Sequence, residues 1–266
     1  MPLRVIEPTP YPDVNEVLNG LLSEVQGVLA ERFVGMYLYG SLALGDFVSE
    51  RSDIDFLVVT DDELSDDLVS ALCVMHERIA ADDSRWSREL EGSYIPKASL
   101  RRYNPAQARH PHIDRGGTLL VEQHDSDWVI QCHVLREWGV TLAGPPPHTL
   151  IDPISPDDLR GALVALMRGW WGPMRHDPFW LRHSGYQAYA VLTMCRVLYT
   201  IQHGAIVSKS VAARWAQEAL QEALADRWKP LIERALAWPQ GRRGADDVAE
   251  TVELINHVLE RCERPS

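Results

Sequence analysis

The 266-residue sequence predicts an N-terminal α/β domain over residues 1–152 followed by an all-α helical bundle over residues 153–266. Three observations carry this. Up to Ile95, short β-prone runs alternate with apolar residues at helical spacing, in the order β-α-β-α-β of an α/β sheet. The stretch Gly144-Pro145-Pro146-Pro147, with Asp152-Pro153 and Ser155-Pro156 after it, marks a junction. Beyond it the apolar spacing is helical almost throughout.

The first helix is expected over Val14–Arg32, where Val14, Val17, Leu18, Leu21, Leu22, Val25, Val28 and Leu29 recur at helical spacing. Phe33–Tyr39 (FVGMYLY) is a β-prone run ending at Gly40-Ser41, and Asp53–Thr60 (DIDFLVVT) is a second. Leu64, Leu68, Leu72, Met75 and Ile79 place a helix within 61–81. Glu89–Ile95 and Trp128–Leu135 read as further strands. Arg101–Ser126 is polar and broken by Pro105, Pro111, Gly116 and Gly117, so it is expected to contain a long loop of the kind that often serves as a lid or binding element. In Ser155-Pro156-Asp157-Asp158, a capping serine, a proline at the first helical position and acids in the first turn announce a helix. Helices are expected over 157–170, 185–202, 209–224, 227–237 and 245–261.

Composition narrows the function. A formal charge of −12 argues against a nucleic-acid-binding surface and suits a cationic small partner. Cys73, Cys132, Cys195 and Cys262 form no CxxC pair, so neither a disulfide framework nor a zinc site is expected. The N-terminal MPLRVIEPTPYPD lacks the apolar core of a signal peptide, and no apolar run approaches the length of a membrane span. A cytoplasmic protein without a membrane partner, and a monomer, is the expectation.

The chemistry concentrates in Tyr37–Val59, YLYGSLALGDFVSERSDIDFLVV. Gly40-Ser41 falls where a strand gives way to a helix. Glycine allows a sharp turn and close approach to a ligand, and the N–H groups of a helix start attract an anion such as triphosphate. Ser41 adds a hydroxyl donor. Strand alternation puts Asp53 and Asp55 on one face, with Ile54 toward the opposite layer. Two adjacent carboxylates repel, and a hard cation such as Mg2+ relieves this while bridging to substrate phosphates. His110, His112, His124 and His133 show no ligand spacing, and Ser41 has no G-x-S-x-G turn. The lysines are Lys97, Lys209 and Lys229; Lys209 stands in a first helical turn, where a cation opposes the dipole unless an anion binds it.

The pattern Gly40-Ser41, Asp53 and Asp55 resembles the signature of the DNA-polymerase-β-like nucleotidyltransferase superfamily. That resemblance implies an α/β (α+β) nucleotidyltransferase domain with a mixed sheet. It also implies that Asp53 and Asp55 hold Mg2+ and that a third carboxylate completes the metal set. Glu91, in Arg88-Glu89-Leu90-Glu91-Gly92, is the candidate; Glu89 shares its face, and alternation alone does not separate them. The chain is more closely similar to the aminoglycoside adenylyltransferases that modify streptomycin or spectinomycin. The resemblance runs through Leu142-Ala143-Gly144-Pro145-Pro146, Leu192–Tyr199 (LTMCRVLY), Gly204, Ser208-Lys209 and Ala213-Arg214-Trp215-Ala216.

What that family implies is AMP transfer from ATP to a hydroxyl of a small, cationic acceptor, with pyrophosphate released. Glu91 would act as base as well as metal ligand, and Gly40, Ser41, Arg196 and Lys209 would bind nucleotide. Streptomycin-modifying members carry a tryptophan and acids just before the Leu-Thr-x-x-Arg helix. Here the segment reads Trp180-Leu181-Arg182-His183-Ser184-Gly185-Tyr186-Gln187, so spectinomycin is expected ahead of streptomycin. Trp170, Trp171, Trp180 and Asp177 line an acceptor cleft on that reading, and are core aromatics and a surface acid on the other. Two further functions fit the sequence: nucleotidyl transfer to a metabolite or protein, and nucleotide sensing without catalysis.

Overall fold

The computed structural model describes residues 7–219, 222–237 and 247–263. The chain divides into two compact units, one of residues 1–47 and 52–153 and the other of residues 48–51 and 154–266.

The first unit is a six-stranded mixed sheet with helices. Helix α1 (Pro12–Leu29) starts with Pro12 in its first turn and Asp13 toward the positive end of its dipole. It buries Val14, Leu18, Leu21, Val25 and Leu29 in one stripe. Strand β1 (Phe33–Leu38) leads into the single turn α2 (Gly40–Ala43). Strand β2 (Ile54–Thr60) is followed by α3 (Asp66–Ala80), capped by Ser65 accepting from the Leu68 N–H. Strand β3 (Leu90–Pro96) continues into α4 (Lys97–Arg101). Strands β4 (Arg109–Ile113) and β5 (Leu120–Gln123), helix α5 (Asp127–Trp138), strand β6 (Val140–Ala143) and the turn α6 (Pro147–Leu150) complete the unit. The strand order is β5-β4-β3-β2-β1-β6. Only β2 and β3 run parallel among the paired strands.

Alternation along β1 and β2 sorts their side chains. Met36, Leu38, Ile54, Phe56 and Val58 join Val14, Leu18, Leu21 and Val25 of α1 and Leu72 and Met75 of α3 in one buried cluster. Asp55, falling between Ile54 and Phe56, therefore belongs to the other face.

Three expectations differ from what is found. Trp128–Leu135 is helical, not a strand. The alternating W-V-I-Q-C-H-V pattern mimics a strand because the helix buries Trp128, Ile130, Cys132, Val134 and Leu135 against more than one neighbour. Its end signals are helical: Asp127 in the first turn, Arg136 in the last, and the Gly139 N–H bonded to the Leu135 carbonyl. Arg101–Ser126, expected to contain a long loop, is instead mostly taken up by the hairpin of β4 and β5, which pair antiparallel from Arg109 opposite Gln123 to His112 opposite Leu120. Strand β2 begins at Ile54, leaving Asp53 just ahead of it, and β3 begins at Leu90, leaving Glu89 at the end of a 3-10 turn. The expected helix over 209–224 is found as α9 (Lys209–Ala219) as far as Ala219, and its residues 220–221 lie outside the described residues.

The second unit holds α7 (Pro156–Leu166), α8 (Ser184–His203), α9, α10 (Glu222–Ala237) and α11 (Val248–Glu263). At the start of α7, Ser155 accepts from the Asp158 N–H and the Asp158 carboxylate accepts from the Ser155 N–H, a complete capping box. Trp171, Val191, Met194, Ala212, Ala213, Leu231, Ile255 and Val258 are fully buried among these helices. No described helix is long and apolar enough to cross a membrane.

Gly92 sits where β3 crosses Phe56 closely: a Cβ there would lie 2.4 Å from the Phe56 carbonyl oxygen. Gly92→Ala is expected to cost about 1–3 kcal/mol in urea unfolding. Gly20→Ala, in α1 with nothing within 4 Å of an added Cβ, should instead gain roughly 0.5–1 kcal/mol.

Candidate active site

The carboxylates are brought together by strand register. In the parallel β2–β3 pair, Ile54 stands opposite Leu90 and Asp55 opposite Glu91. Two backbone bonds fix the ends of this arrangement. The Tyr39 N–H donates to the Asp55 carbonyl at 3.2 Å, and the Ile54 N–H donates to the Glu89 carbonyl at 2.8 Å. Asp53, Asp55 and Glu91 are each half-buried.

Gly40 closes on the same group. Its φ is +60°, and a Cβ at that position would fall 1.8 Å from Asp55 Oδ2. Any larger residue would meet both backbone strain and the carboxylate, so glycine here is set by Asp55. Ser41 follows in the first turn of α2; its Oγ is buried and makes no hydrogen bond among the described residues. Because α2 has only four residues, anion binding here rests on first-turn N–H groups and Ser41 rather than on a long helix dipole.

The alternative left open in the sequence, Glu89 or Glu91, is separated by their surroundings. Glu89 is held by Arg115, whose Nη1 donates to Glu89 Oε2 at 3.2 Å. The same guanidinium lies 4.0 Å from Asp53 Oδ2. Glu91 is the residue opposite Asp55, and its carboxyl pKa is pushed up to about 8. Burial is the main cause, and Asp55, Asp53 and Asp114 add to it against a smaller opposing effect of Arg115. The nearby Tyr39 phenol is likewise held well above its ordinary value by burial and by Asp55, Glu91, Asp127 and Asp53.

Some participants are not apparent from the sequence. Asp114 and Arg115 lie in the turn between β4 and β5, within the segment that reads as a loop. Asp127, raised by burial and by Asp125, starts the helix that reads as a strand. The histidines without a ligand spacing do meet: His124 stacks on His110 at 5.8 Å and lies edge-on to His112 at 5.6 Å. Pairing of β3, β4 and β5 creates that cluster, and no sequence interval reports it.

Hard carboxylate oxygens from Asp53, Asp55 and Glu91, the last holding its proton through burial and the charges of the other two, fit a Mg2+ ion. They would be its protein ligands, and the ion would supply neutralising charge for a bound triphosphate.

Arg196 and Lys209 belong to the helical unit. Arg196 is half-buried on α8, and Lys209 opens α9 with its Nζ 4.2 Å from the centre of the Tyr189 ring. Trp171 is buried as a core aromatic, whereas Trp170, Trp180 and Asp177 are exposed. Trp170 Nε1 donates to the Tyr186 hydroxyl at 3.0 Å, and the Tyr186 and Tyr189 rings lie 5.5 Å apart.

A mixed sheet bearing a Gly-Ser turn, with Asp55 opposite Glu91 and Asp53 just ahead of the strand, fits a nucleotidyltransferase. Residues 22–102 match the nucleotidyltransferase domain, and residues 149–262 match the aminoglycoside adenylyltransferase C-terminal domain. The chain thus carries a nucleotidyltransferase domain followed by a domain similar to the C-terminal domain of the aminoglycoside adenylyltransferases. An aminoglycoside (3'') (9) adenylyltransferase of Klebsiella pneumoniae is 29% identical over 212 residues, covering 75% of this chain and 78% of its own. A spectinomycin 9-adenylyltransferase of Campylobacter jejuni is 24% identical over 246 residues, covering 83% and 90%. The fold matches the spectinomycin adenyltransferase of Enterococcus faecialis, crystallised with ATP and spectinomycin. That match has a TM-score of 0.73 at 20% identity and covers 92% of this chain and 98% of the other.

Glu91 gives a stability signature. Its folded pKa, about 8, lies above the ordinary carboxylate value of 4.5, so the folded chain keeps a proton that the unfolded chain has lost between those values. Stability of the metal-free protein through this group is therefore full below about pH 4.5 and declines as pH rises toward 8. Glu91→Gln should flatten this decline and stabilise the protein in chelator at pH 8 by about 1–3 kcal/mol, read as a Tm rise of several degrees.

Proposed function

We propose that this chain transfers AMP from ATP to a hydroxyl of an aminoglycoside-type antibiotic, spectinomycin ahead of streptomycin, with release of pyrophosphate in the cytoplasm. The observation that carries the chemistry is the register of Asp55 opposite Glu91, with Asp53 immediately before the strand. The adenylyltransferase relatives support the acceptor class.

In this reading Gly40 and Ser41 receive the phosphates distal to the reacting one, and Asp53, Asp55 and Glu91 hold Mg2+. Glu91 takes the proton of the acceptor hydroxyl as its oxygen forms a bond to the α-phosphorus, while the bond to pyrophosphate breaks. Its raised proton affinity suits a base, and most of the rate gain is positioning and charge stabilisation. Arg196 and Lys209 are assigned to the nucleotide phosphates on the family resemblance. The choice of spectinomycin is supported by Gln187, which stands where streptomycin-modifying members place acids. Its Nε2 donates to the Leu181 carbonyl at 2.6 Å within the core, so this side chain serves the fold.

Pyrophosphate release with ATP, Mg2+ and a panel of aminoglycosides tests the proposal, with turnover expected on spectinomycin. Asp53→Asn and Asp55→Asn should each lower kcat at least about 100-fold with circular dichroism unchanged. Lys209→Ala should raise the KM for ATP about tenfold through loss of a charged phosphate contact. Unchanged turnover in either aspartate variant contradicts the mechanism, and nucleotide binding without release on any acceptor favours a sensor.

A further inference from the structure

Besides the all-oxygen carboxylate set, the sheet assembles a mixed donor set. Glu91, His112 and Asp114 each offer one ligand atom, and the three atoms lie within 4.8 Å of one another. They come from neighbouring antiparallel strands: Ser93 pairs with His112 and Gly92 with Ile113, which carries Glu91 and Asp114 to the same end of the ladder. Strand β4 ends at Ile113, and Asp114, the next residue, turns its carboxylate to His112.

The imidazole is already oriented. His112 Nδ1 lies 2.9 Å from the Oγ of Ser93, a fully buried residue, while Nε2 faces Asp114 Oδ1 at 3.1 Å. Histidines that bind metal through one ring nitrogen usually bond the other to a fixed neighbour, which sets the ring angle. Mg2+ prefers oxygen donors, whereas one imidazole with two carboxylates suits a borderline transition ion such as Zn2+.

We propose that Glu91, His112 and Asp114 form a binding site for a divalent transition-metal ion of the zinc type, distinct in donor chemistry from the Asp53–Asp55–Glu91 set. The two sets share Glu91, so an ion held by His112 and Asp114 withdraws that carboxylate from any other role. In an adenylyl-transferring enzyme such an ion is an inhibitor, competing for the residue that must accept the proton.

The test is Zn2+ binding to the full chain, free of nucleotide and acceptor, by competition with a chromophoric chelator. In this form it does not depend on the transfer reaction, and the two readings can fail separately. One tight equivalent is expected, weakened at least about tenfold by His112→Gln. In the native protein, NMR of the imidazole nitrogens should show the His112 Nε2 resonance moving on the first equivalent of Zn2+, which a misfolded variant cannot imitate. Tight binding that survives His112→Gln, or a His112 Nε2 resonance unmoved by Zn2+, overturns the proposal.

Discussion

The first unit turns on one electrostatic conflict: Asp55 and Glu91 stand opposite each other on adjacent parallel strands, with Asp53 a residue away. Strand pairing is cooperative and its register is fixed by the hydrophobic face beneath, so the acids have no freedom to separate. Ile54, Phe56 and Val58 are locked into the cluster with α1 and α3, and a one-residue slip would exchange them for Asp55 and Leu57. The core thus enforces a repulsion that the site holds in reserve. Glu91 relieves it in part by holding a proton, and Arg115 in part by pairing with Glu89 near Asp53.

The same constraint explains the glycine turn. Gly40 adopts positive φ with Asp55 Oδ2 where its Cβ would be, so the turn and the carboxylate are shaped around each other. Tyr39, just before it, anchors the loop through its N–H on the Asp55 carbonyl. The turn proposed to receive phosphate and the carboxylates proposed to hold metal are therefore parts of one strand junction. The chain itself pairs a nucleotidyltransferase domain match over residues 22–102 with an aminoglycoside adenylyltransferase C-terminal domain match over residues 149–262.

Much of this was legible in the sequence because it depends on local periodicity. The apolar stripe of α1, the runs that became β1 and β2, the Ser155 cap and the Gly40-Ser41, Asp53, Asp55 motif all declare themselves within a few residues. What was not legible depends on pairing between distant segments. Alternation left Glu89 and Glu91 equal, and only the β2–β3 register and Arg115 separated them. His112 and Asp114 looked like loop residues because Pro111 and Gly116 break the pattern around them, yet β4 pairs on both sides. Helix α5 was mistaken for a strand since burial on more than one face gives apolar residues at alternate positions.

The central claim is that burial, together with the charges of Asp55 and Asp53, raises the proton affinity of Glu91 into the range proposed for a base. Its carboxyl carbon, followed by 13C NMR through a pH titration, measures this directly. In chelator the midpoint is expected near 8, and with Mg2+ and a non-hydrolysable ATP analogue it should fall by more than one pH unit. A midpoint near the ordinary 4.5 in the metal-free protein would show that Glu91 is not buried beside Asp55 and Asp53 as described, and would contradict the account.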